Sequence, residues 1–270
     1  MGPHQPAEDR DLDLALRLAD RADILGLRYF TGAELDHDTK PDGTPVSAAD
    51  REIERVLRAM VAEERPGDGF LGEEVGESGH ADRRWIVDGI DGTVLFVAGL
   101  TGWATQIALE IRGEVVIGVS TSAPLERRWW ARRGGGAWRA ATGEGRLGAP
   151  ERMAVSHRTS LTGGRVTAIP PIDALSADQR VSVDRLTATS DYVPPHEHGA
   201  VLVADGRADV CVQASGGPWD FAALAVIVEE AGGHFSNLAG QWVIDDGGPV
   251  VFSNGHVHDQ ALRALTSSRA

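Results

Sequence analysis

The chain has 270 residues, 42% of them hydrophobic and 24% charged, with a formal net charge of −14. That is the composition of a globular protein with a sizeable core, organised as one large domain or two smaller ones. The acidity argues against a nucleic acid polymer or an anionic membrane as partner, since both select basic surfaces.

The N-terminal run M-G-P-H-Q-P-A-E-D-R-D has neither the basic nor the apolar region of a signal peptide, and no segment approaches the ~20 apolar residues of a membrane span. The expected location is the cytoplasm. A first helix is predicted from about Glu8 to Phe30, with Leu12, Ala15, Ala19, Ala22 and Leu25 at three- and four-residue steps. D-T-K-P-D-G-T-P breaks it. A second helix opens at Ser47, where S-A-A-D approximates a capping box with Asp50 at N3. Ile53, Val56, Leu57 and Met60 form its apolar stripe, and R-P-G-D-G ends it.

Strand patterns follow: Phe70-Leu71 running into G-E-E, Trp85-Ile86-Val87 running into D-G-I-D-G-T, and then 103–112, 114–121 and 127–132. R-G-G-G-A-W reads as a turn; without a following Lys-Ser/Thr it is a weak phosphate loop. Polar, Gly-rich residues near 143–150 mark a boundary between an N-terminal half, residues 1–145, and a C-terminal half, residues 146–270. The second half alternates: strand 165–169, helix 173–187, helix 198–205, strand 208–213, helix 218–231, strand 249–253 and helix 256–266. Such alternation suggests α/β layering. Cys211, the single cysteine, reads as a buried strand residue in A-D-V-C-V; it excludes an intramolecular disulfide and suits a reducing compartment.

Carboxylates stand at the ends of apolar strands or at helix starts in four places: Asp50, Glu73-Glu74, Asp88 with Asp91, and Asp220. Each alone could lie on a solvated loop, and Asp-Gly is a common turn pair. Burying them together is costly unless a cation pairs with them. In V-D-G-I-D-G-T, Asp88 ends the apolar strand, Gly89 lets the backbone turn, Ile90 anchors inward and Asp91 returns a carboxylate to the same side. Gly92 and Thr93 then offer amides at a helix start, which suits an anion. Hard oxygen ligands beside backbone donors suit Mg²⁺ holding a phosphate.

These motifs, in order K-P-D-G-T-P-V-S-A-A-D, F-L-G-E-E, W-I-V-D-G-I-D-G-T, R-R-W-W-A-R-R-G-G-G-A-W and W-D-F-A-A-L-A-V-I-V-E-E-A-G-G, resemble the inositol monophosphatase family of magnesium-dependent, lithium-sensitive phosphatases. Within it the stretch from Arg28 to Trp138 looks most like the histidinol-phosphate phosphatases. The resemblance implies a layered αβαβα sandwich of α+β or α/β class, often a homodimer, hydrolysing a small phosphate ester with two or three Mg²⁺ per site. It implies that Glu73, Asp88, the Ile90 carbonyl, Asp91 and Asp220 ligate metal. Asp50 and Thr93 would activate the attacking water, with Glu73 beside them, and the Gly92 and Thr93 amides would cradle phosphate. Lys40 would lie near a mobile loop. No phosphoenzyme is implied, consistent with the lack of a G-x-S-x-G or reactive-cysteine motif.

The chain departs from the family wording in places. Gly89 stands where D-P-I-D-G-T has proline, and Val94 and Leu95 stand where polar residues are usual. Gln213, seven residues before Asp220, stands where many members place a glutamate that contacts substrate. The neutral amide lacks the charge that would favour the amine of histidinol. His196-Glu197-His198 could be a polar loop, a substrate contact or a metal pair. His256 and His258 read as a helix start, Trp219 as packing that fixes Asp220, Trp129-Trp130 as sheet residues, and Arg127-Arg128 with Arg132-Arg133 as a solvated face. The expected substrate is histidinol phosphate, with another polyol, sugar or nucleotide phosphate as the alternative. A catalytically weak relative that only binds a phosphorylated ligand is a third reading.

Overall fold

The structure is a computed structural model that describes residues 7–31, 37–39, 45–79, 82–143 and 146–267; Lys40 lies outside them. The helices are α1 (Ala7–Phe30), α2 (Ala48–Glu64), α3 (Thr93–Val97), α4 (Ala177–Thr187), α5 (Gly199–Ala204), α6 (Pro218–Glu230) and α7 (His258–Thr266). The strands of the first half are β1 (His37–Thr39), β2 (Pro45–Ser47), β3 (Gly69–Gly72), β4 (Gly76–Ser78), β5 (Arg83–Asp91), β6 (Ala104–Ile111), β7 (Glu114–Ser122), β8 (Arg127–Arg132) and β9 (Gly136–Ala141). Then come β10 (Glu151–Arg152), β11 (Arg165–Ile169), β12 (Asp191–Tyr192), β13 (Val210–Gln213), β14 (His234–Asn237) and β15 (Val250–Ser253).

An eight-stranded sheet runs β10-β9-β8-β7-β6-β5-β3-β4, and a five-stranded sheet runs β12-β11-β13-β15-β14. Helices α1 and α2 cover one face of the larger sheet; α6 packs against both sheets; α4 and α7 pack together against the smaller one. The result is the expected αβαβα layering. The burial pattern of α6 follows from its position. Phe221 to Val228 are all buried, so the helix is apolar all round, as a helix between two sheets must be. Its approach is close: a Cβ on Gly118 of β7 would fall 2.3 Å from the Ala223 carbonyl oxygen.

α2 begins as its sequence dictates. Asp50 N donates to Ser47 Oγ at 3.2 Å, and Ser47 N donates back to Asp50 Oδ2 at 2.9 Å. The predicted helix 173–187 is divided: a short 3₁₀ turn at Ile172–Ala174 precedes α4, which Ser176 and Gln179 restart with their own capping box. β1, β2, β4, β10, β12 and β14 have no counterpart among the predicted strands, most being too short to show a period of two, and β9 takes up the end of the stretch R-G-G-G-A-W that reads as a turn.

The arginine-rich edge differs from the solvated face expected. Arg128 is buried and pairs with Asp20 and Asp23 of α1, each at 2.8 Å. Strand alternation sends Trp129 to the core around α6 and Trp130 to the core under α1 and α2. The R-G-G-G turn already holds an anion of its own, since the amides of Gly134 and Gly136 donate to the Glu230 carboxylate at 2.9 and 2.8 Å.

Candidate active site

β5 does not end in a turn at Gly89. It continues to Asp91 through a bulge: Asp88 faces Gln106 and Asp91 faces Ala104, so two residues of β5 oppose Thr105 alone. In a regular strand, residues three apart point to opposite faces. The extra residue of a bulge restores them to one face. Ile90 is thereby buried in the core under α2, while Asp88 and Asp91 project together. Thr105 Oγ1 pins the bulge by donating to the Gly89 carbonyl at 2.8 Å. Gly92 follows at φ +88° and caps α3, so the Gly92 and Thr93 amides lie at a helix start, where intrahelical acceptors are lacking. Thr93 Oγ1 donates to the Ile90 carbonyl at 3.0 Å.

Gly89 is needed for close approach, not for a left-handed turn. A Cβ there would fall 2.8 Å from the Asp50 carbonyl oxygen and 3.3 Å from Glu54 Cγ. α2 therefore lies directly on the bulge and brings Asp50 with it. Asp50 is buried, and burial is the main reason its carboxyl is pushed up to about 7, against the hydrogen bonds from Ser47. Glu73 follows β3, and its amide donates to the Val87 carbonyl at 3.3 Å, beside Asp88.

Asp220 arrives from the other half of the chain at the third position of α6, where Oδ2 accepts the Gly217 amide at 2.6 Å. Trp219 packs partly buried against the core around α6. Asp88, Asp91 and Asp220 each offer one carboxylate oxygen, all within 4.8 Å of one another. Asp88 is buried, and neither of its oxygens has a hydrogen-bond partner. Burial, then the charges of Glu73, Asp91, Asp220 and Asp50, push its carboxyl well above the ordinary range.

Such an arrangement is unfavourable by itself. Like charges repel, and a buried carboxylate without donors bears its full desolvation cost. A hard divalent cation relieves both, so the residues present fit a metal centre.

The H-E-H segment divides. His196 is exposed, Glu197 pairs with Arg207 at 2.7 Å, and His198 turns inward to cap α5. His198 Nδ1 accepts the Ala200 amide at 3.1 Å, and Nε2 lies 3.8 Å from Asp91 Oδ2. Burial lowers the His198 pKa. Gln213 is buried near the end of this network, with Oε1 unpartnered. His258 of the second H-x-H starts α7 and joins Ser236 and Ser253, each at 2.8 Å.

Two functional neighbours were not evident from sequence. Gln106 Nε2 donates to Asp91 Oδ2 at 2.9 Å; its signal was a lone amide in the otherwise apolar strand W-A-T-Q-I-A-L. Glu54 accepts the amides of Glu74 and Val75, each at 2.9 Å. It stands four residues after Asp50, on the same helix face, which is the trace it left in the sequence.

The pattern of the inositol monophosphatase family matches residues 9–270, and the chain belongs to that family, a class of metal-dependent phosphoric monoester hydrolases. It is 41% identical to the histidinol-phosphatase of Mycobacterium tuberculosis, over 95% of this chain and 98% of the relative. A Streptomyces griseus protein named glucose-1-phosphate thymidylyltransferase is 40% identical, over 92% and 93% of the two chains. Among solved structures, a Thermotoga maritima IMPase superposes with a TM-score of 0.81 at 28% identity, over 95% of this chain and 96% of that one.

Proposed function

We propose that the protein hydrolyses histidinol phosphate, or a phosphomonoester closely like it, with Mg²⁺ as the cation, two or three per site. The observation that carries the metal-centre reading is Asp88, a buried carboxylate without a hydrogen-bond partner that faces Asp91 and Asp220. In this reading Glu73, Asp88, Asp91, Asp220 and the Ile90 carbonyl hold the cations. When bound, these supply Lewis acidity that makes water a nucleophile near neutral pH and offsets phosphate charge.

The chain's own groups do the rest. Asp50, buried and held by Ser47 at its carboxylate, takes the proton of the attacking water as general base. Thr93, whose hydroxyl already donates to Ile90, relays that proton. The Gly92 and Thr93 amides orient the phosphate, and displacement proceeds in line without a phosphoenzyme. The N-terminal half supplies most ligands; the C-terminal half supplies Asp220 and the side chains that select the leaving alcohol. His196 is exposed and available to that alcohol, while Gln213 and His198 act from beneath. In this reading the working form is a cytoplasmic homodimer.

A second substrate, a sugar or polyol phosphate, is favoured by one observation: Gln213 is neutral where charge would help hold a cationic amine. The name of the Streptomyces griseus relative points to sugar phosphates as well. Phosphate release from histidinol, inositol, sugar and nucleotide monophosphates at equal concentration decides between them. Histidinol phosphate is expected to give the highest kcat/KM; a sugar or inositol phosphate turned over faster overturns the assignment. Absence of turnover on all of them would favour a phosphate-binding relative.

A further inference from the structure

Glu54 is fully buried on α2, one turn beyond Asp50. Its Oε2 accepts two adjacent amides, Glu74 N and Val75 N, each at 2.9 Å, and its Oε1 faces Gly89 N at 3.4 Å. One carboxylate thus reaches both loops that carry the acidic cluster: the turn holding Glu73 and the bulge holding Asp88 and Asp91. The space around it is closed. A Cβ on Gly72 would fall 2.4 Å from Glu54 Oε2, and one on Gly89 would fall 3.3 Å from Glu54 Cγ. The third donor exists because residue 89 is glycine; proline has no N–H to give.

We infer that Glu54 is a positioning residue for the metal centre, holding the Glu73 turn at a fixed distance from the Asp88–Asp91 bulge. The inference rests on reading the acidic cluster as that centre. A carboxylate that accepts two neighbouring amides at one oxygen leaves the Glu73 turn little freedom to swing. Residues that orient ligands in this way typically carry about 10–100-fold in metal affinity or activity.

The test is calorimetric titration of the full-length, metal-stripped protein with Mg²⁺, alongside its melting temperature in EDTA. Asp88→Asn serves as the control and is expected to abolish binding. Glu54→Ala is expected to weaken Mg²⁺ binding about tenfold or more, with a lower EDTA melting temperature because the Glu74 and Val75 amides lose their acceptor. Glu54→Gln, which keeps one acceptor oxygen, is expected to fall between it and wild type. Amide hydrogen exchange at Glu74, Val75 and Gly89 is expected to quicken in both variants.

Wild-type Mg²⁺ affinity in Glu54→Ala, with Asp88→Asn inactive in binding, overturns the positioning role and leaves the metal centre standing. A lowered melting temperature with unaltered affinity also overturns it, assigning Glu54 to the fold alone. If Glu54→Ala does not fold, unaltered affinity in Glu54→Gln is the overturning result. Undiminished binding in Asp88→Asn removes the metal-centre reading itself.

Discussion

Replacing Asp50 by asparagine should make the metal-free protein more stable while destroying its activity. Asp50 is buried beneath the bulge, and its carboxyl is raised to about 7 from an ordinary 3.8. The sign follows from proton linkage. Between those two values the folded state keeps a proton that the unfolded state has released, so stability falls as pH rises through that window. Once pH exceeds 7 the full cost is present, on the order of 4 kcal/mol. Asparagine is neutral at every pH and removes that cost. It keeps one carbonyl oxygen for Ser47 but weakens the cap by about 1 kcal/mol. The net gain at pH 8 is on the order of 3 kcal/mol, or about 6–12 °C in melting temperature for a chain of this size. At pH 5 less than half of the wild-type cost is present, so the advantage shrinks to under about 1 kcal/mol. Thermal denaturation in EDTA from pH 5 to pH 8, wild type against Asp50→Asn, gives both numbers. An equal or lower melting temperature for the variant at pH 8, or a gap that does not widen with pH, would refute the reasoning.

Asp91→Asn and Asp220→Asn are each expected to lower phosphate release by at least about 10²-fold while circular dichroism stays native; retained turnover in either counts against the metal centre. Lithium is expected to inhibit, as the family resemblance implies, and Mg²⁺-dependent activity that ignores high lithium would contradict a family-type second site. His258 is depressed to about 4 by burial and by His234. Its folded form therefore resists a proton that the unfolded form takes up below about 6.5, and stability is lost as pH falls through 6.5 toward 4. Moving from neutral pH to pH 5 should cost on the order of 2 kcal/mol at this residue, a slope that His258→Gln flattens in urea titrations. Gly118→Val, which drives side-chain carbon into the backbone of α6, is expected to destabilise by about 3 kcal/mol or more; a wild-type urea midpoint would show that α6 can move away.

The longer elements were legible in the chain because each carries its own local signal. Ser47 and Asp50 write a helix start, alternation writes β6 to β8, and the apolar run from Phe221 to Val228 writes a helix buried on all sides. The acidic residues were legible for the same reason: a carboxylate after W-I-V is a local conflict visible without coordinates. What tertiary structure decided is how those residues meet. A bulge between Asp88 and Asp91 is set by the partner strand, so the local sequence read as a turn. Gly89 looked like a conformational joint and proves to be a clearance, because the atoms that forbid a side chain belong to α2, 35 or more residues away along the chain. Arg128 looked solvated until α1 supplied Asp20 and Asp23, and His198, open between loop, substrate and metal readings, is set 3.8 Å from Asp91 at the start of α5. Composition and periodicity report a residue's immediate chain neighbours. Burial, register and the partner of a charge depend on segments far apart in sequence, and those only the packed layers bring together.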